Sequence, residues 1–221
     1  MPRRAGPVAE PRVRLSRDRV LRAAIDLADR GGIDSLSMRK LAEELGVEAM
    51  SLYHHVANKD AILSGIVDLV VSEFDLPSVR SDWKAAIRRS AVSAHDVLMR
   101  HPWACNLMMS TNTISPARLR YMESLLGRLR EAGFSAEMTH HAYHALDSHI
   151  IGSTLWQAGY SANTDLSAKA KTFLREIAAQ YPYLAEHAEQ HLTKSRRDAV
   201  REFDFGLDLI LDGLERIRAK G

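Results

Sequence analysis

The sequence predicts an all-α protein. Apolar residues recur three and four positions apart through most of the chain, as they do on the buried face of an α-helix. Ser, Asp or Asn residues precede these segments and Gly or Pro residues follow them, as at helix ends. No segment alternates apolar and polar residues as a strand does. With 46% hydrophobic and 26% charged residues among 221, the chain has the composition of one or two globular domains.

Four helices are predicted in the first third of the chain. The first two begin at the capping residues Ser16 and Ser37, and glycines end both of them. The fourth helix is apolar on most sides, which indicates that it is packed on most sides. The predicted bounds are 16–32, 37–46, 48–55 and 58–74.

The remaining helices are predicted at 81–101, 102–109, 115–133, 135–157, 166–192 with a break at 181–182, and 195–219. The last of them is the most regular, because its apolar residues alternate at spacings of three and four. This alternation is typical of a seam between two helices. The seam consists of Val200, Phe203, Leu207, Ile210, Leu214 and Ile217.

Positive charge is concentrated at the start of the chain. The net charge is only +2, but residues 1–22 hold seven arginines against two acidic residues. Residues 1–14 are therefore predicted to form a flexible basic arm. An arm of this kind before a small domain indicates a polyanionic partner, and a solvated tail that aids solubility is the alternative.

Cysteine content and hydropathy indicate a cytoplasmic protein. Cys105 is the only cysteine, so no internal disulfide can form. No apolar run approaches the roughly 18 residues that a membrane span requires, and no signal-peptide pattern is present. We expect no membrane association.

The second and third predicted helices have the arrangement of a helix-turn-helix, since both are short and a turn containing Gly46 joins them. Within the third, Leu52 and Val56 can anchor the helix to the core. The residues left facing outward are Ala49, Met50, Ser51, Tyr53 and His54. Exposed apolar and aromatic groups beside basic ones favour an interface with duplex DNA.

Three segments of this region resemble the TetR family of transcriptional repressors. They are Gly-Ile-Asp-Ser-Leu-Ser-Met-Arg-Lys-Leu-Ala at 32–42, Leu-Gly-Val at 45–47, and Leu-Tyr-His-His-Val-Ala-Asn-Lys-Asp-Ala-Ile-Leu at 52–63. A looser resemblance to the tetracycline-repressor branch of the family lies at 101–103, 129–134 and 203–214. The resemblance implies a helix-turn-helix domain at 15–60 and a ligand-binding and dimerisation domain at 61–221.

Carried over by position, the resemblance implies that Ser37, Arg39 and Lys40 meet DNA, with Arg39 reaching a guanine. Ser51, Tyr53, His55 and Lys59 match positions that contact the DNA backbone. With the outward-facing Ala49, Met50 and His54, they form the predicted DNA interface. Ala49 and Met50 stand where the tetracycline-repressor branch has glutamine and proline, so we expect a different operator.

The resemblance also implies a homodimer, in which the last helix and the helix at 135–157 form a four-helix bundle with their symmetry mates. The predicted interface residues are Leu146, Ile150, Phe203, Leu207, Ile210, Leu214 and Ile217. A core stripe within one chain is the alternative for the seam.

Large and deformable side chains in the pocket-forming helices of the family predict a site for a lipophilic ligand. They are Trp103, Met108, Met109, Met122, Leu126, His144 and Trp156, and core packing is their alternative. Ser90, Ala94 and Met108 stand where the tetracycline repressors use polar and metal-binding side chains, so tetracycline with magnesium is not expected. His140 and His144 share a helix face, but no cofactor or metal is predicted.

The resulting expectation is a repressor that a small molecule releases from its double-stranded operator. An alternative keeps the DNA-binding domain and gives the larger domain a role in protein interaction without an inducer. An enzyme is the rival from another class. The chain lacks a Gly-rich phosphate loop, a Gly-x-Ser-x-Gly elbow and a His-Glu-x-x-His motif.

Overall fold

The computed structural model describes residues 14–109, 115–161, 166–192 and 196–219. Within these ranges the regular elements are eleven α-helices and one 3₁₀ turn, which confirms the all-α prediction. The predicted basic arm lies, except for Arg14, outside the described residues. The chain divides into two compact units, Met1–Ile62 and Leu63–Gly221.

The N-terminal unit is built from three helices and the start of a fourth. The elements are α1 (Arg17–Gly31), the 3₁₀ turn Ile33–Ser35, α2 (Met38–Leu45), α3 (Ala49–Leu52) and α4 (Lys59–Ser72). Helix α2 packs against both α1 and α3. The core consists of Val20, Leu21, Ala24, Ala28, Leu36, Leu41, Ala42, Leu52 and Val56.

Side-chain caps and a glycine fix the bounds of the first two helices as the sequence predicts. The Ser16 hydroxyl accepts a hydrogen bond from the amide of Arg19 at 3.2 Å, and the Ser37 hydroxyl accepts one from the amide of Lys40 at 3.2 Å. Gly46 ends α2 at φ 66°, a left-handed conformation that other residues adopt at a cost.

Helix α3 is shorter than predicted. The regular α-helix covers Ala49–Leu52, and the chain then tightens into a turn through His55. In this turn the His55 amide donates to the Leu52 carbonyl three residues back, as in a 3₁₀ helix. Leu52 and Val56 are both buried, so the predicted anchoring of this segment is confirmed.

The C-terminal unit continues from α4 through seven more helices. They are α5 (Trp83–Arg100), α6 (Trp103–Met109), α7 (Pro116–Glu131), α8 (Ala136–Ser161), α9 (Leu166–Ile177), α10 (Pro182–Leu192) and α11 (Arg196–Arg218). The predicted break near 181–182 separates α9 from α10, and α8 extends one turn beyond the predicted end. Helices α5, α8 and α11 pack against one another in pairs and form the centre of the unit.

A stack of three rings joins these central helices. The Phe203 ring of α11 lies between His95 of α5, with ring centroids 3.9 Å apart, and His149 of α8, with centroids 4.9 Å apart. The His149 Nε2 atom is 2.9 Å from the carbonyl oxygen of Phe203. Gly206 permits this approach, because a Cβ atom there would lie 2.4 Å from Cε1 of His149.

Ion pairs join the edges of α5 and α11. Arg88 contacts Asp204 at 2.8 Å and Asp208 at 2.9 Å. One turn away, Lys84 contacts Asp212 at 2.7 Å and Glu215 at 2.6 Å. The Lys84 ammonium lowers the pKa of the Asp212 carboxyl. These exposed pairs fix the register of the two helices more than they stabilise the fold.

The predicted dimer seam is in large part a core stripe of the single chain. Five of the seven predicted interface residues are already buried within it, namely Phe203, Leu207, Leu214, Leu146 and Ile150. Their burial within one chain favours the alternative of a core stripe for these five residues, and their place in a dimer interface stays a prediction. Ile210 is half-buried and Ile217 is exposed.

No described helix is both long enough and apolar enough to cross a membrane.

The substitution Gly206→Ala is expected to destabilise the C-terminal unit by about 1 to 3 kcal/mol, because the added methyl group overlaps the His149 ring. Urea unfolding at neutral pH measures the effect. Gly213→Ala on the same helix is the matched control, since a Cβ atom there meets nothing within 4 Å. Equal stability of the two variants would contradict the close contact at Gly206.

Acidification is expected to destabilise the same unit through His95. Burial lowers the pKa of His95, and His149 lowers it further, while Asp96 and Asp204 oppose the shift. The folded protein therefore resists protonation of this ring. Because the unfolded chain binds that proton below about pH 6.5, the free energy of unfolding falls as the pH drops through this value.

The variant His95→Phe keeps a flat ring against Phe203 and removes the titrating group. Its loss of stability between about pH 7.5 and about pH 5.5 should be smaller than that of the unchanged protein in urea unfolding. A loss of the same size in both proteins would show that His95 does not carry the effect.

Candidate functional site

The predicted DNA-contacting residues lie on consecutive elements of the N-terminal unit. Ser37 caps α2, Arg39 and Lys40 lie in its first turn, and Ala49, Met50 and Ser51 form most of α3. Tyr53, His54 and His55 form the following turn, and Lys59 begins α4. The Asn58 side chain accepts a hydrogen bond from the Ala61 amide at 2.8 Å and so caps α4 directly before Lys59.

Helix α3 and its turn expose large apolar and aromatic groups to solvent. Met50 is 71% exposed and Tyr53 is 45% exposed, and His54 beside them is also exposed. Ala49, Ser51 and His55 are half-buried. The exposed surface of α3 thus combines short side chains with a few larger ones, which suits entry into a major groove about 12 Å wide.

Exposed cationic side chains precede and follow this segment along the chain. Lys40 and Lys59 are exposed, and Arg39 is 87% exposed. The Arg39 Nε atom donates to Oε1 of Glu43 at 3.0 Å, one turn along α2. The Ser37 hydroxyl accepts the capping hydrogen bond of α2, so only its proton is available to a phosphate oxygen. Such groups are the usual contacts to a DNA backbone.

The predicted ligand residues divide into an interior and a surface group. Trp103 and Met108 of α6 are buried, and Met122 and Leu126 are half-buried one turn apart on α7. Met109, His144 and Trp156 are exposed. The first four are thus the interior members of the predicted set, and the other three lie at the surface.

Sequence reasoning missed a group of polar side chains inside the C-terminal unit. Arg118 and Tyr121 come from α7, and Tyr143 and Asp147 come from α8. The two tyrosines are buried, and the Arg118 Nη2 atom is 4.0 Å from Oδ2 of Asp147 with both side chains about one fifth exposed. The only sequence signal is a spacing of three or four within each helix.

Burial sets the protonation of this group. It raises the pKa of Asp147, an effect that Arg118 and His144 oppose. It also raises the pKa of Tyr121 and of Tyr143, so both phenols stay neutral at physiological pH. The nearby Cys105 thiol is buried, and its pKa is raised to about 12, which makes it a packing residue rather than a nucleophile. The group offers hydroxyl donors beside a carboxylate.

The histidines of α8 do not form a metal site with their neighbours. The rings of His140 and His144 lie 4.5 Å apart, and both side chains are exposed. Among the described residues no three His, Cys, Asp or Glu side chains are grouped so that they could hold a metal ion.

Helices α8 and α11 pack against each other, and each also exposes large apolar side chains. They are Leu155 and Trp156 on α8, and Phe205, Leu209 and Ile217 on α11. These five residues are called the outer face below. The three on α11 are exposed, whereas Phe203, Leu207 and Leu214 of the same helix are buried.

Two family models match this chain. One, described as "Bacterial regulatory proteins, tetR family", matches residues 20–66. The other, described as "Tetracyclin repressor-like, C-terminal domain", matches residues 76–218. The HTH-type transcriptional repressor DrrR1 of Streptomyces coeruleorubidus is 31% identical to this chain, with 97% of this chain and 82% of that protein aligned.

Two solved structures are similar in fold and sequence. The ActR protein of Streptomyces coelicolor in complex with actinorhodin has a TM-score of 0.76 at 25% identity, over 93% of this chain and 99% of that one. BioQ with its double-stranded DNA operator has a TM-score of 0.64 at 25% identity, over 91% and 98%.

The family matches cover most of the chain, and the matched proteins are named as regulators, which removes the enzyme alternative. The chain belongs to the TetR family of DNA-binding transcriptional regulators.

Proposed function

We propose that this protein is a cytoplasmic homodimeric repressor that binds a two-fold operator and leaves it when a small molecule enters the C-terminal unit. The observation that carries the proposal is the surface of α3 and its turn. Met50, Tyr53 and His54 are exposed there between the cations of α2 and α4. A duplex supplies both the groove for the first set and the phosphates for the second.

Within this interface, Arg39 supplies base readout and Lys59 supplies phosphate contact. An arginine fork can bond O6 and N7 of one guanine, which discriminates against other bases by about 1 to 3 kcal/mol. Lys59 lies at the start of α4, where the first backbone amides also favour an anion. Ala49 can contact only a thymine methyl group or leave room, so α3 contributes fit more than hydrogen bonding.

The outer face of α8 and α11 is the proposed dimer interface. Phe205 and Leu209 replace the buried seam residues as its centre, and Ile217 stays in the set. Several large apolar side chains exposed on two adjacent helices indicate an interaction surface. The resemblance to the family implies that α8 and α11 of a second chain bury them. Two-fold pairing also brings recognition helices to successive major grooves about 34 Å apart.

The proposed effector is a lipophilic molecule that carries polar groups. Trp103, Met108, Met122 and Leu126 provide the apolar contacts, and Tyr143 and Asp147 provide a donor and an acceptor. The complex of the similar protein ActR with actinorhodin supports a small-molecule effector. Methionine side chains adapt to irregular ligand shapes.

Helix α4 is the proposed route from effector to DNA. Its Asp68 carboxylate accepts a hydrogen bond from the Ala117 amide in the first turn of α7 at 2.7 Å. Arg118, the next residue, belongs to the interior polar group. A ligand that moves the start of α7 therefore pulls on α4, and α4 begins at the DNA-contacting Lys59.

The substitutions Arg39→Ala and Lys59→Ala should affect DNA binding differently. Arg39→Ala should weaken binding to the operator far more than binding to random duplex, because it removes base readout. Lys59→Ala should weaken both to a similar extent and lower the salt slope of binding by about one unit. Fluorescence anisotropy with a duplex selected by the purified protein, at several salt concentrations, measures both effects.

If Arg39→Ala weakened operator and random duplex equally, base readout would belong to another residue. Failure of the unchanged protein to select any duplex at low salt would contradict the proposed function as a whole.

The substitution Leu209→Asp should produce monomers with weaker operator binding, because a charge then lies at the centre of the proposed interface. Leu119→Asp on α7 is the matched control, since Leu119 is 54% exposed and Leu209 is 55% exposed. Sedimentation velocity gives the oligomeric state of both variants. A dimeric Leu209→Asp variant would move the interface to another surface.

A further inference from the structure

The guanidinium of Arg39 is held by a neighbouring acid before any DNA is present. Its Nε atom donates to Oε1 of Glu43 at 3.0 Å, four residues along α2. The Arg39 side chain is 87% exposed and that of Glu43 is 62% exposed, so the pair lies on the outer surface of the helix. An acidic side chain next to a DNA interface repels phosphates, so its presence there requires a structural explanation.

The second acid of this turn has a different partner. Glu44 contacts Arg30 of α1 at 2.9 Å and so ties α2 to the helix before it. Glu43 contacts only a residue of its own helix among the ion pairs of the described chain. The Arg39–Glu43 pair therefore does not join two elements, and its effect falls on the orientation of Arg39.

The chemistry of the guanidinium explains what this orientation achieves. A bond at Nε leaves the Nη1 and Nη2 edge able to donate two parallel hydrogen bonds, which is the pattern that O6 and N7 of guanine accept. A free arginine side chain loses rotamer entropy on binding, and a side chain that is already oriented by a contact loses less.

We propose that Glu43 is a positioning residue that holds the Arg39 guanidinium for readout of guanine, while its charge weakens attraction to the phosphates of any duplex. This inference rests on the proposed function, in which Arg39 reads a base. It predicts that Glu43 contributes to discrimination between sequences even though a carboxylate weakens attraction to DNA. A mere surface ion pair would not change that discrimination.

The test compares Glu43→Ala, Glu43→Gln and Glu44→Gln in the full-length protein. The DNA probes are a duplex selected from a random pool by the unchanged protein, and the same duplex with each guanine replaced in turn. Discrimination is the ratio of the two dissociation constants at one salt concentration. Thermal unfolding by circular dichroism confirms that each variant is folded.

Glu43→Ala should lower discrimination at one guanine by about two- to fivefold, the effect of losing one exposed charged contact. Glu43→Gln should keep most of the discrimination, because the amide oxygen still accepts a hydrogen bond from Nε of Arg39. Glu44→Gln removes one negative charge from the same turn without contacting Arg39, so discrimination should be unchanged. Both glutamine variants should bind random duplex more tightly than the unchanged protein.

A second comparison isolates the pair. In the Arg39→Ala background, Glu43→Ala should no longer change discrimination at that guanine, since no guanidinium remains to be positioned. If Glu43→Ala alone leaves discrimination unchanged while Arg39→Ala abolishes it, the positioning role is overturned and the proposed function stands. If Arg39→Ala itself leaves discrimination unchanged, both the readout by Arg39 and the role of Glu43 are overturned.

Discussion

The close approach of α11 to α8 at Gly206 is the constraint on which the C-terminal unit depends. Only a residue without a side chain leaves room for the His149 ring, and that ring in turn fixes Phe203 against the buried His95. The stack determines which side of α11 faces inward. Because Phe203, Leu207 and Leu214 are buried in the core, helical geometry places Phe205 and Leu209 on the exposed side of α11. The α11 part of the outer face follows from this orientation.

The sequence predicts helix ends better than helix partners. The caps at Ser16 and Ser37 act through hydrogen bonds to amides three residues away, so local spacing is enough to find them. The seam of α11 was predicted from spacing too, but spacing does not say whether the opposing helix belongs to the same chain. Phe203 is buried within one chain, which favours a partner helix in the same chain, and no local pattern contains this information.

The predicted DNA interface could be found from the sequence, whereas the interior polar group could not, because only the first is contiguous along the chain. The predicted DNA-contacting residues follow one another between Ser37 and Lys59, and a resemblance in sequence covers them together. The polar group of Arg118, Tyr143 and Asp147 joins two helices whose contributing residues are more than twenty positions apart. Each residue alone fits an ordinary amphipathic helix, so only packing of α7 against α8 reveals that they meet.

The size of the coupling between effector and DNA can be compared with the contact proposed to carry it. Allosteric coupling is typically about 1 to 3 kcal/mol. A hydrogen bond to a charged group contributes about 1.5 to 3 kcal/mol, and the bond from the Ala117 amide to Asp68 is part-buried and short at 2.7 Å. A contact of this strength is therefore comparable with the coupling that it is proposed to transmit from α7 to α4.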